Sequence, residues 1–475
     1  MEEMQRRSKK GIMMKQCNES TTQTQLMDLP LEILLDILLR LPTRSLFSLL
    51  CVSKTLRSLV DCPSFAHKHS EYIATSNYED LDPPHIMVLT NSQLITLRAL
   101  NPLSPINEFA FDISNYIGNG FNLEFEFVSY GLLLFKKKEA NHELLLVNPL
   151  RGEVLNLPPP LPDCSYELYA MGYDVLTSTH KIVRLFGPCG HPDHMVAQIY
   201  VLGTSSSSSW RQISSVPPLP CCLSSKASVS AYGNMYWLVY VLSSDLELRI
   251  LSFDFKREEF EWTPHTNLPD FDQRIDLHLI NFRGRLSIVD VSAISSPQKN
   301  DHDQIEIWVM KSYKNFTWEK KYAVKIHLDP CCMKLWETPS HFLGVGPGSV
   351  GAWEHGIFLR DLKSKNMVVL LDVDSGGIRA VQVGSSSMSD CDDLMPVDVF
   401  SYTGGYISLR KYGDLMEAKT GEGNFFSVGK MMQRSMLPGN CFEIGIGGLR
   451  SLKPQTPLDS ADLRSLNLLK LQADP

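Results

Sequence analysis

The feature that most constrains this chain is a largely apolar segment over residues 26–65. In its first part the polar residues Glu32, Asp36 and Arg40 recur every four positions among leucines and isoleucines. On a helix this spacing places them in one narrow stripe and leaves most of the circumference apolar. A helix of that kind has to bury two faces.

Prolines bound this first helix. Pro30 suits a first helical turn, and Pro42 ends the run. A segment of about forty residues cannot cover both apolar faces with a core of its own. One interpretation is an internal helix of a larger core. However, three short helical runs follow one another without strand patterning, which favours a small helical module that presents an apolar face to another protein.

The order of residues in this segment resembles an F-box. The match is carried by Leu29-Pro30, Glu32-Ile33, Ile37-Leu38, Leu41-Pro42, Ser45-Leu46, Leu49, Cys51-Val52-Ser53-Lys54 and Arg57-Ser58-Leu59. The chain departs from the family at Leu56, where a tryptophan is common. The resemblance implies docking onto an S-phase-kinase-associated (SKP) type adaptor, which links to a cullin scaffold and a ubiquitin-conjugating enzyme.

The same resemblance implies which residues form the adaptor-binding face. The candidates are Leu29, Pro30, Ile33, Ile37, Leu38, Leu41 and Pro42. Any one of them is about as apt to close the three-helix core instead.

Bulk properties narrow the class of protein and its compartment. The chain has 475 residues, enough for two or three domains, and its formal net charge of −8 argues against general nucleic-acid binding. Eleven cysteines, an odd number scattered over a long chain, indicate reduced thiols. No signal peptide or membrane span is visible, so we expect no membrane partner and a location in the cytoplasm and/or nucleus.

Beyond this segment the pattern changes to strands. Residues 71–84 read as a polar linker, and from about His85 to Tyr412 short apolar or alternating runs are broken by Gly, Pro, Ser and Asn. Corresponding strands can be aligned on Val147, Leu202, Phe253, Val309 and Leu371, with spacings of 55, 51, 56 and 62 residues.

Repeats of this length, with several strands per unit, are typical of β-propeller blades. With a possible first unit over residues 85–114, the pattern predicts an all-β propeller of five or six blades. A two-sheet sandwich is the alternative, but about 330 residues is too long for one sandwich.

This region resembles the F-box-associated domain that follows many plant F-boxes, which is a kelch-like propeller. The match is carried by Asn148-Pro149-Leu150 through Leu157-Pro158, Gly172-Tyr173-Asp174, Ser209-Trp210-Arg211, Gly233 with Tyr236-Trp237, Ser252-Phe253-Asp254, and Ile307-Trp308-Val309-Met310 with Trp318. The predicted organisation is a disordered tail (1–24), a small all-α F-box (25–70), a linker (71–84), a kelch-like β-propeller (85–415) and a poorly defined C-terminal tail (416–475).

Two short motifs resemble nucleotide-binding and metal-binding sequences, but neither has the surrounding sequence that such a site needs. Residues 346–351 match G-x-G-x-x-G, yet the sequence behind them reads as a strand, whereas dinucleotide binding needs a helix there. Residues 189–194 hold one cysteine and two histidines, without a second ligand pair at metal-site spacing. We therefore predict no catalytic residues, no metal and no cofactor.

The sequence predicts a substrate-recognition subunit of an SKP–cullin–F-box ubiquitin ligase, with the propeller binding an unidentified target protein. Trp336 and Trp353 are the candidates for target contact, because tryptophans dominate binding hot spots and these two lie outside the repeated positions. The alternatives are a propeller enzyme, a carbohydrate-binding propeller, or an F-box protein that acts outside a ubiquitin ligase.

Overall fold

The structure is a computed structural model. It describes residues 29–75, 84–89, 93–98, 106–117, 123–137, 143–162, 167–187, 195–203, 209–218, 221, 228–241, 247–264, 276–292, 304–325, 350–360, 367–382, 398–418 and 443–444.

Four helices open the described chain. They are α1 Leu31–Leu39, α2 Thr43–Val52, α3 Lys54–Val60 and α4 Pro63–Thr75. Pro30 and Pro42 stand at the N-caps of α1 and α2, where a missing backbone N–H costs nothing. Helix α4 extends through Thr75 and thus into the predicted linker over 71–84.

The rest of the described chain is almost entirely strands. The first half contains β1 His85–Leu89, β2 Gln93–Arg98, β3 Ile106–Asp112, a short helix α5 Ser114–Ile117, β4 Leu123–Ser129, β5 Leu132–Lys137, β6 Leu144–Asn148, β7 Glu153–Leu157, β8 Glu167–Asp174, β9 Thr179–Phe186, β10 Val196–Leu202 and β11 Arg211–Ile213. The second half contains β12 Ser228–Ala231, β13 Asn234–Val241, β14 Glu247–Asp254, β15 Glu259–Thr263, β16 Leu277–Phe282, β17 Arg285–Asp290, β18 Gln304–Ser312, β19 Thr317–Lys325, β20 Val350–Trp353, β21 Gly356–Arg360, β22 Met367–Asp372, β23 Ile378–Gln382, β24 Asp398–Tyr402, a 3-10 helix Leu409–Lys411 and β25 Glu443–Ile444.

These strands form six antiparallel sheets, numbered here as blades in chain order. Blade 1 has the strand order β24-β1-β2-β3, blades 2 to 5 contain β4–β7, β8–β11, β12–β15 and β16–β19, and blade 6 contains β20–β23 with β25 at its edge. Consecutive innermost strands contact one another from β4 to β24. The ring closes where Phe125 of β4 stacks on Phe400 of β24 at 4.1 Å between ring centroids.

A late strand completes the first blade. Strand β24 pairs with β1 from His85↔Tyr402 to Leu89↔Asp398, so the two ends of the propeller share one sheet. A ring of this kind buries the faces of all its sheets and leaves only short outer edges.

The alignment drawn from the sequence selects one position in the fold. Val147, Leu202, Phe253, Val309 and Leu371 lie in β6, β10, β14, β18 and β22, the third strand of blades 2 to 6. The residue pattern therefore identified the repeat, because each of the five aligned residues is buried in the core.

The chain after β24 does not leave the propeller. Residues 403–418, called here the strap, cross blade 2, and Met416 N–H donates to the Val154 carbonyl at 2.9 Å. Strand β25 falls within the predicted tail over 416–475 and pairs with β23. The remainder of that predicted tail, residues 419–442 and 445–475, lies outside the described residues.

The helices and the propeller share one hydrophobic core. Buried side chains of α1 to α4 pack in the same cluster as residues of blades 2 and 3 and of the strap. Its members include Leu38, Leu46, Val60, Phe65, Leu134, Met171, Tyr406 and Leu409. The helices therefore pack directly against the propeller and are not joined to it by a linker alone.

Close backbone contact fixes the strap, and a methyl group added at Gly405 tests it. A Cβ there would overlap the Tyr130 carbonyl oxygen, whereas one at Gly203 would meet no atom. We expect Gly405→Ala to lower the free energy of unfolding by about 1–3 kcal/mol. Gly203→Ala is the matched control. Equal urea midpoints for both variants would contradict the close approach.

Candidate functional site

Helix α1 carries apolar side chains on its solvent side. Leu31, Ile33 and Ile37 are 51%, 50% and 37% exposed. Ile33 and Ile37 are four residues apart, so they lie next to each other on one face. Leu34 and Leu38 on the opposite face are buried in the shared core.

The predicted adaptor-binding residues divide by burial. Pro30, Ile33 and Ile37 are exposed, and Leu29, Leu41 and Pro42 are partly buried. Leu38 is fully buried. It is a core residue in this structure, so its side chain cannot reach a partner while the helices stay packed.

Two exposed apolar residues were not among the candidates. Leu31 opens α1, and Val52 ends α2 with most of its side chain in solvent. Both lie inside the segment that resembles an F-box. Nothing in the sequence pattern distinguished them from core leucines and valines, because only the docked position of the helices decides which side remains free.

The other side of the helical part is held by polar contacts. Arg151 Nη1 donates to Asp61 Oδ1 at 2.8 Å and to the Tyr406 carbonyl at 2.7 Å. Tyr406 in turn donates its hydroxyl to the Phe65 carbonyl at 3.2 Å. These bonds connect α4 and the preceding turn with blade 2 and the strap.

Stacked aromatic rings complete the contact. His67 of α4 stacks on Tyr173 with ring centroids 4.3 Å apart. Below it His180 is fully buried and its Nδ1 lies 2.9 Å from the Tyr412 hydroxyl. Burial lowers the pKa of His180 to about 3, and the charge of His67 acts in the same direction. His180 is therefore neutral in the folded protein near neutral pH.

The two candidates for target contact are Trp336 and Trp353. Trp353 is buried between strands, and its indole N–H donates to the Ile357 carbonyl at 3.0 Å. It is a core residue, since β20 is the innermost strand of blade 6. Trp336 lies outside the described residues.

Among the described residues, neither the glycine motif nor the Cys/His motif forms part of a nucleotide or metal site. Residues 189–194 and 346–349 lie outside the described residues. The strand Val350–Trp353 contains the last two residues of the glycine motif. Among the described residues, no group of three or more His, Cys, Asp or Glu is placed to hold a metal ion.

Buried charges lie at the opposite face of blades 2 and 3. Glu167 accepts from Arg184 Nε at 2.6 Å and from Lys136. Arg184 also donates to Gln198 Oε1 at 3.0 Å and to the Pro162 carbonyl at 2.7 Å. Each charge is compensated within this group. The buried charges are therefore explained by contacts between blades 2 and 3 and do not indicate a binding site.

Comparison with known proteins identifies the family. A model described as the F-box associated beta propeller domain matches residues 90–404. The chain belongs to that family. The F-box domain model matches residues 26–68. Both resemblances drawn from the sequence are thereby confirmed.

Relatives of this F-box-associated propeller protein occur in Arabidopsis thaliana. One putative F-box protein is 28% identical over half of this chain, and the match covers 65% of that relative's length. Another F-box protein is 24% identical, covering 81% of this chain and 98% of the relative. An F-box/kelch-repeat protein is 26% identical, covering 62% and 79%.

Similarity to solved structures is weak. A luciferin-regenerating enzyme matches at TM-score 0.26 and 10% identity, covering 69% of this chain and 98% of that one. The SapL1 lectin in complex with alpha methyl fucoside matches at 0.31 and 9%, covering 69% and 96%. Neither match supports an argument about function. Among the described residues, no helix is long and apolar enough to cross a membrane.

Burial separates the roles of two neighbouring residues on α1. Leu38→Ala should lower the free energy of unfolding by about 2–5 kcal/mol, because it opens a cavity in the shared core. Ile37→Ala removes a side chain from the exposed face and should change it by less than about 0.5 kcal/mol. Urea unfolding of the full chain measures both. Similar losses would show that Ile37 is also packed.

The buried histidine makes stability depend on pH. The pKa of His180 is lowered from 6.5 to about 3, so the unfolded chain binds more protons between these pH values. The contribution of this residue to stability is therefore complete above pH 6.5 and falls as the pH drops toward 3.

Replacing the ring should remove that loss. His180→Phe should reduce the slope of unfolding free energy against pH by up to about 1.4 kcal/mol per pH unit in that window. His355→Phe, at an exposed position of blade 6, is the control. An unchanged slope in His180→Phe would refute a buried neutral histidine.

Proposed function

We propose that this chain is the substrate-recognition subunit of an SKP–cullin–F-box ubiquitin ligase. Helix α1 docks the adaptor, and through it the cullin, while the propeller holds a target protein. The chain supplies no nucleophile and no cofactor chemistry. It accelerates transfer by converting a random encounter of target and conjugating enzyme into a tethered one.

The exposed apolar row of α1 carries this proposal. Ile33 and Ile37 lie side by side and face solvent, and Leu31 is exposed separately at the start of the helix, whose other side is buried on the propeller. Contiguous apolar surface of this kind marks a protein interaction site. Its position within residues 26–68, which match the F-box domain, supports an SKP-type adaptor as the occupant.

The docked arrangement suits the role. Asp61, Arg151 and Tyr406 connect the helices to blade 2 and the strap through short polar contacts. An adaptor bound to α1 would therefore stand at a fixed position relative to the propeller. The effective concentration of two tethered partners is highest when the connection matches the distance between their binding sites. A rigid connection can hold that distance fixed.

Two further points belong to the proposal. The blades are of the kelch type, as an F-box/kelch-repeat relative from Arabidopsis thaliana suggests. The protein works in the cytoplasm and/or nucleus, where the ligase components it would join are found. The division at 25–70, 71–84 and 85–415 remains a proposal, with the helical part extended through Thr75.

Charge placed on the exposed row tests the adaptor site. Ile33→Glu combined with Ile37→Glu should abolish co-purification of the full chain with an SKP-type adaptor, because a carboxylate is costly in an apolar contact. Since both side chains are exposed, the thermal midpoint should stay the same. Leu176→Glu changes an exposed leucine on the propeller and should leave adaptor binding intact.

The outcomes distinguish the alternatives. Full adaptor binding by the double variant would contradict the assignment of α1. Adaptor binding by the wild-type chain without recruitment of the cullin would favour an F-box protein that acts outside a ubiquitin ligase.

A further inference from the structure

In blades 2 to 6, the turns between the first and second strands lie at one face of the propeller, which also bears the helices. In blade 2 this turn is Tyr130-Gly131, and the Tyr130 ring lies 6.0 Å from that of His67 in α4. The same turn in blade 4 is Tyr232-Gly233 and in blade 5 Arg283-Gly284. The position that blade 2 uses to contact the helices thus recurs on two further blades.

Aromatic side chains gather at the junction of blades 4 and 5. Tyr232 stacks on Tyr313, with ring centroids 5.1 Å apart, and Tyr313 meets Phe316 edge to face at 5.6 Å. Asn234 Nδ2 donates to the Tyr313 hydroxyl at 3.1 Å. Tyr313 lies at the centre of this group and is 40% exposed.

Two of these aromatic residues have strained backbones. Tyr232 has a φ of 52° and Phe316 a φ of 47°. Tight hairpin turns favour Asn, Asp or Gly at such positions, and a bulky residue there costs free energy. The matching positions Tyr130 and Arg283 have φ values of 53° and 50°, so this backbone comes with the turn. What is particular to this junction is the grouping of aromatic rings, a residue type that dominates binding hot spots.

The charges around the rings are positive. Arg285 at the start of β17 and Lys314 in the turn between β18 and β19 are exposed, and among the described residues no carboxylate lies within salt-bridge distance of either. Burial raises the pKa of Tyr232, and the nearby charge of Arg285 opposes that shift. By contrast, Arg283 is paired with Asp374 at 2.6 Å, away from the rings.

We infer that this surface, formed by Tyr232, Asn234, Arg285, Tyr313, Lys314 and Phe316, binds an acidic segment of the target protein that carries an aromatic or aliphatic anchor. The anchor packs against Tyr313 and its neighbours, and the carboxylates pair with Arg285 and Lys314. Complementary charge is the reason for this occupant, since the surface is locally basic on a chain of net charge −8. The inference rests on the proposed function.

Single-stranded nucleic acid is the competing occupant, because it too uses stacked rings and cations. The overall negative charge of the chain disfavours it, since such binding depends on basic surfaces that release counterions. The test therefore includes it as an outcome.

Selection from a random peptide library on the immobilised full chain tests the surface. The expected consensus has Asp or Glu beside one aromatic or aliphatic residue. Binding of a synthetic consensus peptide, followed by fluorescence anisotropy, should weaken at least about tenfold in Tyr313→Ala. Tyr240→Ala is the matched control, because that tyrosine is 42% exposed on β13 and lies outside the surface.

Charge reversal gives the sharper readout. Selection repeated on Arg285→Glu should move the consensus away from acidic and toward basic residues. A consensus without acidic residues, equal loss of binding in Tyr240→Ala, no enrichment at all, or displacement of the peptide by a single-stranded oligonucleotide would overturn the inference.

The adaptor assay on the same variants separates this inference from the proposed function. Tyr313→Ala and Arg285→Glu should co-purify with the adaptor as the wild-type chain does. If the wild-type chain failed to bind the adaptor while the acidic consensus still emerged, the proposed function would fail and the binding surface would stand.

Discussion

The fully buried amide of Asn148 is the contact on which the arrangement of helices and propeller depends. Its Nδ2 donates to the carbonyls of Gly405 and Ile407 at 3.0 and 2.9 Å, and its Oδ1 accepts from Arg151 N–H at 3.1 Å. One side chain thus holds both the strap and the turn that bears Arg151. A buried amide left without these partners would be costly, so the strap and blade 2 are fixed together.

The strap then forms part of the surface on which the helices dock. Leu409 N–H donates to Glu153 at 2.6 Å, and Tyr406 and Leu409 enter the shared core. Because the strap follows directly on β24, it is also tied to the closure of the ring at blade 1. The same segment of chain therefore takes part in closing the propeller and in docking the helices.

Much of this fold could be predicted from the sequence. The predictions that failed did so for physical reasons. The five aligned residues predicted the third strands because all five are buried apolar residues, which keep a strong signal in the sequence. The resemblance to an F-box made Leu38 a candidate for the adaptor-binding face. Helical periodicity could not correct this, because it shows that α1 has two apolar faces and not which one meets the propeller. The sequence pattern did not single out His67 or His69, because tertiary contacts are what bury them. The role of Trp353 required the position of β20, which no local pattern contains.

The same face of the propeller holds the helices and the aromatic surface at blades 4 and 5, which has a consequence for how target and adaptor are related. Their separation is set by packed blades and by the contacts of Asn148, not by a chain segment free to change length. Under the proposed function, the fixed connection between the two surfaces would itself influence transfer, because tethering depends on the geometry of the bound partners as well as on their affinities.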